Sequence, residues 1–402
     1  MVNTTEMILE STHTRLESLL QRTFETKHSQ LHISGGSSLL SLAFFLSQSS
    51  SRVINNLPHL IILPNLADCY KFQQHLEFFD PQRQSCILPE FDVFPYEGLS
   101  PSPNISFDRL NFLSAAVEAA QGQIFLATAQ GLGQRTLPYH LFNQRTLRLS
   151  VGDELPENIH RFLIELGYEA SPLVEDRGQF AYRGGILDIF SPSGAVPIRI
   201  ELFGDQIESL RTFSVADQRS LDTVKSFLLI PAREVLYLDN EYESCVKKFR
   251  DSLEGRPVDS FEREELLRQV IQKTYFPGVE FLLPFFYKNP SWPIEFFSTP
   301  LNVWVLDPTH LTQNNDSFFA ELKNSYENSL ATPLRPAMED FFLPLEKISL
   351  PEGGRKLEFS DLDFLDENKA AESHIHYRTL STTDVSNLTL SSSFGSETWL
   401  TS

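Results

Sequence analysis

The 402-residue chain is short of cysteine, of basic charge and of long apolar runs, and each shortage removes a class of function. Its three cysteines, Cys69, Cys86 and Cys245, are too far apart for a metal-ligand spacing or a disulfide framework, which suits a reducing cytoplasm. Lysine and arginine number 33 against 53 acidic residues, a formal charge of −20. A surface this acidic repels phosphate backbone, so avid non-specific nucleic-acid binding is not expected, though a local basic patch is compatible with it. No run of 18 apolar residues exists, and the N-terminal Met-Val-Asn-Thr-Thr-Glu-Met is no signal peptide, so no membrane span is expected. H-E-x-x-H, G-x-S-x-G and C-x-x-C do not occur, and the ten histidines are scattered. Neither a metal cluster nor a catalytic set is nominated.

What is present is apolar enough, at 41%, to bury two or three cores, with 33 phenylalanines. A helix is expected over 7–30. Residues 31–46 then read as a strand, a Gly-Gly turn and an apolar helix, the layout of a phosphate-binding loop. The chemistry of such a loop is missing. Gly35, Gly36 and Ser37 are followed by Ser38 and Leu39, and the next lysine is Lys71. A working loop needs Gly-Lys-Ser/Thr for the phosphates and magnesium. Leu60 to Leu63 reads as a strand buried on both faces, 66–78 as a helix, Cys86-Ile-Leu as a strand, 106–120 as a helix and Ile124 to Thr128 as a further buried strand. This alternation implies an open parallel α/β sheet. The loop between, stiffened by Pro89, Pro95, Pro101 and Pro103, reads as structural.

The pattern changes near residue 137. A strand at 147, a helix over 155–166 and short turn-bounded runs from Asp176 to Leu210 predict a small α+β domain inserted into the α/β domain. Arg177 and Arg183 stand beside Gly178 and Gly184, where the chain bends and backbone is bare. Helices are expected over 241–253 and 260–272, core-packing aromatics over 276–297, and a last apolar strand at 303–306. Asp307 follows it at the sheet edge, where a helicase-like fold places an acidic magnesium site, but Pro-Thr-His rather than a second acid comes next. From about 353 the chain turns acidic and rich in serine and threonine, and reads as a tail.

Three segments carry a family resemblance. Arg-Gly-Gln-Phe-Ala-Tyr-Arg-Gly-Gly-Ile-Leu-Asp-Ile-Phe-Ser-Pro from Arg177, followed by Ile-Arg-Ile-Glu-Leu-Phe-Gly-Asp from Ile198, is the specific one. Leu88 to Pro101 and Asp217 to Leu221, with Gly167-Tyr168, support it. Together they resemble the module shared by the excision-repair helicase UvrB and the N-terminal part of transcription-repair coupling factors, the latter more closely, over roughly residues 10–345. The resemblance implies a helicase-like (P-loop-type) α/β domain in discontinuous pieces with a small inserted α+β domain that binds UvrA. It implies a nucleotide site that has been lost, so no catalytic residue, metal or cofactor is expected. ATP and magnesium belong to the family's double-stranded-DNA translocase domains, which together with an RNA-polymerase-binding domain lie beyond the matched region. UvrB's damage-probing hairpin is not expected in the short loop at 88–104. Carried over, the UvrA-contacting residues are Arg177, Phe180, Arg183 and Phe190, with Glu201 and Asp205 on the following hairpin. The expected division is 1–136 and 231–345 for the helicase-like module, 137–230 for the insert, and 346–402 for a linker or flexible tail. The role implied is a cytoplasmic, monomeric, non-catalytic module linking stalled RNA polymerase to nucleotide excision repair. The alternative is a divergent helicase-like nucleotidase acting on DNA.

Overall fold

The computed structural model describes residues 30–34, 39–48, 56–238, 242–253, 260–329, 336–349, 351, 353–360 and 374–376. The expected helix over 7–30 therefore lies outside the described residues, apart from Gln30, as do Gly35, Gly36 and Ser37.

Strands β1 (Gln30–Ser34), β2 (His59–Leu63), β3 (Ser85–Leu88), β4 (Ile124–Thr128), β13 (Asn302–Leu306), β14 (Arg355–Ser360) and β15 (His374–His376) form one sheet. Its spatial order is β15-β1-β14-β13-β2-β4-β3. Every pairing in it is parallel. Parallel strands must be covered on both faces, which is why β2, β4 and β13 are buried at every position. The two-residue side-chain period then sorts them into two cores. Leu60, Ile62, Phe125, Ala127, Val303 and Val305 face helix α3 (Pro103–Val117). Ile61, Leu63, Leu126 and Trp304 face helices α1 (Leu39–Gln48) and α2 (Leu66–Phe79). In the second core the Trp304 ring stacks on Phe359 at 5.7 Å. Its indole N–H donates to His59 Nδ1 at 3.0 Å. Burial holds that imidazole neutral, its pKa lowered to about 3.

Two expectations are corrected here. Part of the segment read as a tail is structural: β14 lies between β1 and β13 and buries Leu357 and Phe359. Leu357 and Phe359 alternate with Lys356 and Glu358, a strand period masked by the acidic composition that follows. The insert also starts later than 137. Helix α4 (Tyr139–Arg145) buries Leu141 and Phe142 in the first large core, and Phe142 meets Phe296 at 5.4 Å. The aromatic segment 276–297 is core, as expected, contributing Phe281, Phe286, Phe296 and Phe297. The polar helices α6 (Tyr242–Leu253) and α7 (Ser260–Ile271) add Phe249 and Val270 to the same core.

The insert opens and closes on an antiparallel pair, β5 (Leu147–Ser150) with β12 (Ser226–Leu229). Between them lie helix α5 (Ile159–Glu165) and strands β6 (Glu169–Ala170), β7 (Gln179–Arg183), β8 (Ile186–Ile189), β9 (Ile198–Phe203), β10 (Gln206–Phe213) and β11 (Ser220–Thr223). These six make a sheet of order β11-β10-β9-β8-β7-β6. One face buries Phe180, Leu187, Ile189, Ile200, Ile207 and Leu210 against Leu163 of α5. The other face is closed at one end, where Ala181 and Phe213 are buried with Val174, and is open toward Arg183, Ile186 and Phe203.

Candidate functional site

Register decides which residues share the outward face. Arg183 pairs with Ile186, and Ile186 with Glu201. Directly opposed residues of an antiparallel pair lie side by side, so a cation, an apolar group and an anion form one row across β7, β8 and β9. Arg183 is exposed and Glu201 half-buried. Ile186 keeps 41% of its surface open, an unusual place for an isoleucine. Glu201 is steadied by the Ser209 hydroxyl, which donates to its carboxylate at 2.6 Å. Phe203, two residues along the same face of β9, is 79% exposed. Asp205 is exposed at the hairpin tip, behind Gly204 at φ 64°.

One rung inward, Asp188 pairs with Arg199. The Arg199 guanidinium donates through Nε at 2.7 Å and Nη2 at 2.9 Å to the two oxygens of Asp188, a bidentate ion pair. It also donates to the Gln218 carbonyl at 3.1 Å and lies 4.8 Å from the centre of the Phe213 ring.

Three of the residues expected on this face stand elsewhere or only at its margin. Phe180 is 1% exposed and meets the His160 ring at 5.2 Å, so it is a core residue and no surface anchor. It shares its face with Tyr182, which is 45% exposed because it lies at the open end of the sheet. Phe190 is half-buried against Val174, Ala181 and Phe213. Arg177 points to the large unit: it donates to Asp108 at 2.7 Å and Asn104 at 3.1 Å, both on α3, and lies over the Phe107 ring. Gly178 completes that contact. At φ 82° a Cβ there would approach Phe107 to 2.9 Å. Arg183 and Glu201 are thus brought together, and Arg177 is removed to the seam between units. Sequence reasoning missed Ile186 and Phe203, whose signal was an apolar residue at an outward-facing position of an alternating strand.

The seam is a cleft of about 430 Å³ lined by Phe91, Asn104, Phe107, Arg177, Arg233 and Glu280 among others. Behind it Arg109 and Glu234 form a fully buried ion pair at 2.7 Å, and Arg109 also donates to the Pro89 carbonyl at 3.1 Å. Glu280 accepts a 2.7 Å hydrogen bond from Ser100.

The carboxyl ends of the large sheet's strands are the other place to look, since open α/β sheets bind ligands there. Asn65 caps α2 by accepting from the Asp68 N–H, and Thr128 caps the turn after β4 by accepting from the Gly131 N–H at 3.0 Å. Thr128 in turn hydrogen-bonds Glu90. Asp307 caps helix α8 (Pro308–Asn328) by accepting from the His310 N–H at 3.2 Å, and contacts the His310 ring. No group of three or more His, Cys, Asp or Glu able to hold a metal occurs among the described residues. No helix among them is long and apolar enough to cross a membrane.

A helicase-like parallel sheet carrying a small antiparallel insert with an open, charged outer face defines a class of protein, and comparison with known sequences agrees with it. Residues 147–235 match the family described as the UvrB interaction domain, starting with β5 and running just past β12. The chain is 28% identical over 293 residues to a transcription-repair-coupling factor of Haemophilus influenzae, covering 72% of this chain and 25% of that protein. It is 30% identical over 285 residues to one from Myxococcus xanthus (66% of this chain, 23% of the relative) and 27% identical over 282 residues to one from Escherichia coli (70% and 24%). These matches support an N-terminal UvrB-homology region similar to that of transcription-repair-coupling factors. It spans about a quarter of the length of these curated relatives.

Proposed function

We propose that the outward face of the small sheet is a docking surface for UvrA, and that this module hands a stalled RNA polymerase to nucleotide excision repair in the cytoplasm. The observation that carries the reading is the Arg183–Ile186–Glu201 row, open to solvent within the segment that matches the UvrB interaction domain. A cation able to make bidentate contacts, an apolar anchor and an anion side by side fit a protein surface better than a nucleic-acid backbone, which would meet only repulsion from Glu201 and Asp205. Phe203 extends the apolar part at the hairpin tip. The large unit serves as the scaffold of a monomer. Docking needs no nucleotide, metal or other cofactor from this chain, and contact with RNA polymerase and DNA belongs to other domains of proteins of this kind. Binding of purified UvrA to the wild-type chain and to Arg183→Ala tests the face: equal binding sinks the assignment. Measurable ATP turnover by the purified chain, with or without DNA, would favour the nucleotidase reading instead.

A further inference from the structure

The chain crosses between the two units twice, once from α4 into β5 and once out of β12. Leu147 and Leu229 pair across these two strands, so the crossings run side by side and form one axis. The segment after β12 is stitched to both cores: Ile230 is buried in that of the large unit and Ala232 in that of the insert. The buried Tyr168 hydroxyl donates to the Ile230 carbonyl at 2.8 Å, and the Ala232 N–H donates to the Leu166 carbonyl at 2.8 Å. Gly167, at φ 84°, lies so close to Arg233 that a Cβ there would stand 2.9 Å from its side chain. The tie made by Arg177 is of another kind. The Arg177 side chain is 22% exposed and that of Asp108 44%, and their contact at 2.7 Å is open to water. Asn104 accepts at 3.1 Å, and Gly178 packs beside them against Phe107. The 430 Å³ cleft belongs to both ties: Gly167 and Arg233 line it, and so do Arg177 and Phe107. Two further ion pairs join the units, Arg145 with Glu165 at 3.5 Å and Arg148 with Glu118. Both arginines flank Thr146, where the chain crosses, so a rotation about the crossings displaces them little.

We propose that the seam is a hinge: the paired crossings, with Tyr168 and Ala232, are its pivot, and Arg177 is the clasp that holds the insert shut over the cleft. An ion pair open to water is the weakest of these ties, so it releases first. The hydrogen bonds of the pivot are buried, and breaking them would leave polar groups without partners, so they persist. Rotation about a few residues at the ends of elements is a general form of domain motion. Opening widens the cleft, bares Phe107 and turns the outward face of the small sheet relative to the large unit. The register within that face is untouched. The inference does not rest on the docking reading: it concerns where the face points, not what it binds.

The test is single-molecule energy transfer between fluorophores on Lys71→Cys of α2 and Asp222→Cys of β11, both exposed positions, in the full chain with the half-buried Cys86 replaced by serine. Without further change, the labelled chain is expected to show one dominant distance and a minor second population. Raising salt from about 0.1 M to about 1 M shortens the Debye length from about 10 Å to about 3 Å, and should raise the ratio of the second population to the first. Arg177→Ala should raise that ratio about fivefold at the lower salt, and salt should then add nothing. Gly178→Ala, which drives a Cβ against Phe107 with both charges in place, should raise it as well. Circular dichroism of each variant separates rotation from unfolding. A single unchanged distance in Arg177→Ala at both salt concentrations overturns the inference. So does a salt response in Arg177→Ala equal to that of the unsubstituted chain, which would put the clasp elsewhere. A second population that appears only with loss of helical signal also overturns it, because that marks local unfolding. If Gly178→Ala does not fold, Arg177→Ala and the salt titration decide.

Discussion

The insert contains the dipeptide Arg-Gly twice within eight residues, and the two copies have opposite fates. Arg177-Gly178 is closed down on α3: the guanidinium is held by Asp108 and Asn104, and the glycine makes room for Phe107. Arg183-Gly184 ends β7 in a turn at φ 59°, and a Cβ on Gly184 would meet nothing within 4 Å. The first copy is committed to joining the two units; the second makes no hydrogen bond or ion pair through its arginine among the described residues. An exposed arginine with no hydrogen-bond or ion-pair partner among the described residues adds little to stability, and its guanidinium is open to a group from outside. The seam, by contrast, explains its own charges.

That comparison can be broken most severely at the seam. Arg109 and Glu234 are buried together, and removing one partner leaves a charge with no water to receive it. Arg109→Ala is expected to cost about 3–5 kcal/mol, read as a large drop in the urea midpoint. UvrA affinity should fall only in proportion to the fraction unfolded. Arg183→Ala is the converse. Binding to UvrA should weaken by at least about tenfold, which is about 1.4 kcal/mol. The melting temperature should stay close to wild type, because exposed substitutions usually change stability by less than about 0.5 kcal/mol. A variant that lost stability and binding together would place Arg183 with the seam residues.

Much of the scaffold is legible in the sequence because parallel strands wrapped on both faces leave uninterrupted apolar runs, such as Leu60 to Leu63 and Ile124 to Ala127. β14 is not, because its two buried residues are flanked by charge and followed by acidic, Ser/Thr-rich sequence. The site is legible in its residue types but not in its membership. Arg177 and Arg183 look alike in sequence, and what separates them is a helix 69 residues away. Phe180 and Tyr182 occupy the same face, and what separates them is where helix α5 ends its cover over the sheet. The row through Ile186 depends on a register set by two hairpins, and a slip of one residue would turn every member inward.

The smaller effects sharpen the seam side of the comparison. Arg177→Ala removes an ion pair that is partly open to water, and is expected to cost on the order of 1 kcal/mol with UvrA binding nearly unchanged. Equal weakening of UvrA binding by Arg177→Ala and Arg183→Ala would return Arg177 to the contact surface. The least expected effect comes from Glu280, and its sign is informative. Burial raises the Glu280 carboxyl above the usual carboxylate value, opposed by the Ser100 hydrogen bond and by Arg233, whose guanidinium stays 3.8 Å away and lies over the Tyr275 ring. A carboxyl whose pKa is higher folded than unfolded contributes stability below the unfolded value, and loses it as pH rises through the folded one. At neutral pH the charged, buried carboxylate therefore opposes folding. Glu280→Gln keeps an acceptor for Ser100 without the charge, so at pH 7 its melting temperature should exceed that of wild type by an amount worth less than about 1 kcal/mol. The gap should close as pH falls through the ordinary glutamate value to about 3, where wild-type Glu280 is protonated in both states. A variant less stable than wild type at pH 7 would show that the attraction of Arg233 outweighs desolvation, making this contact a true ionic tie across the seam like that of Arg177.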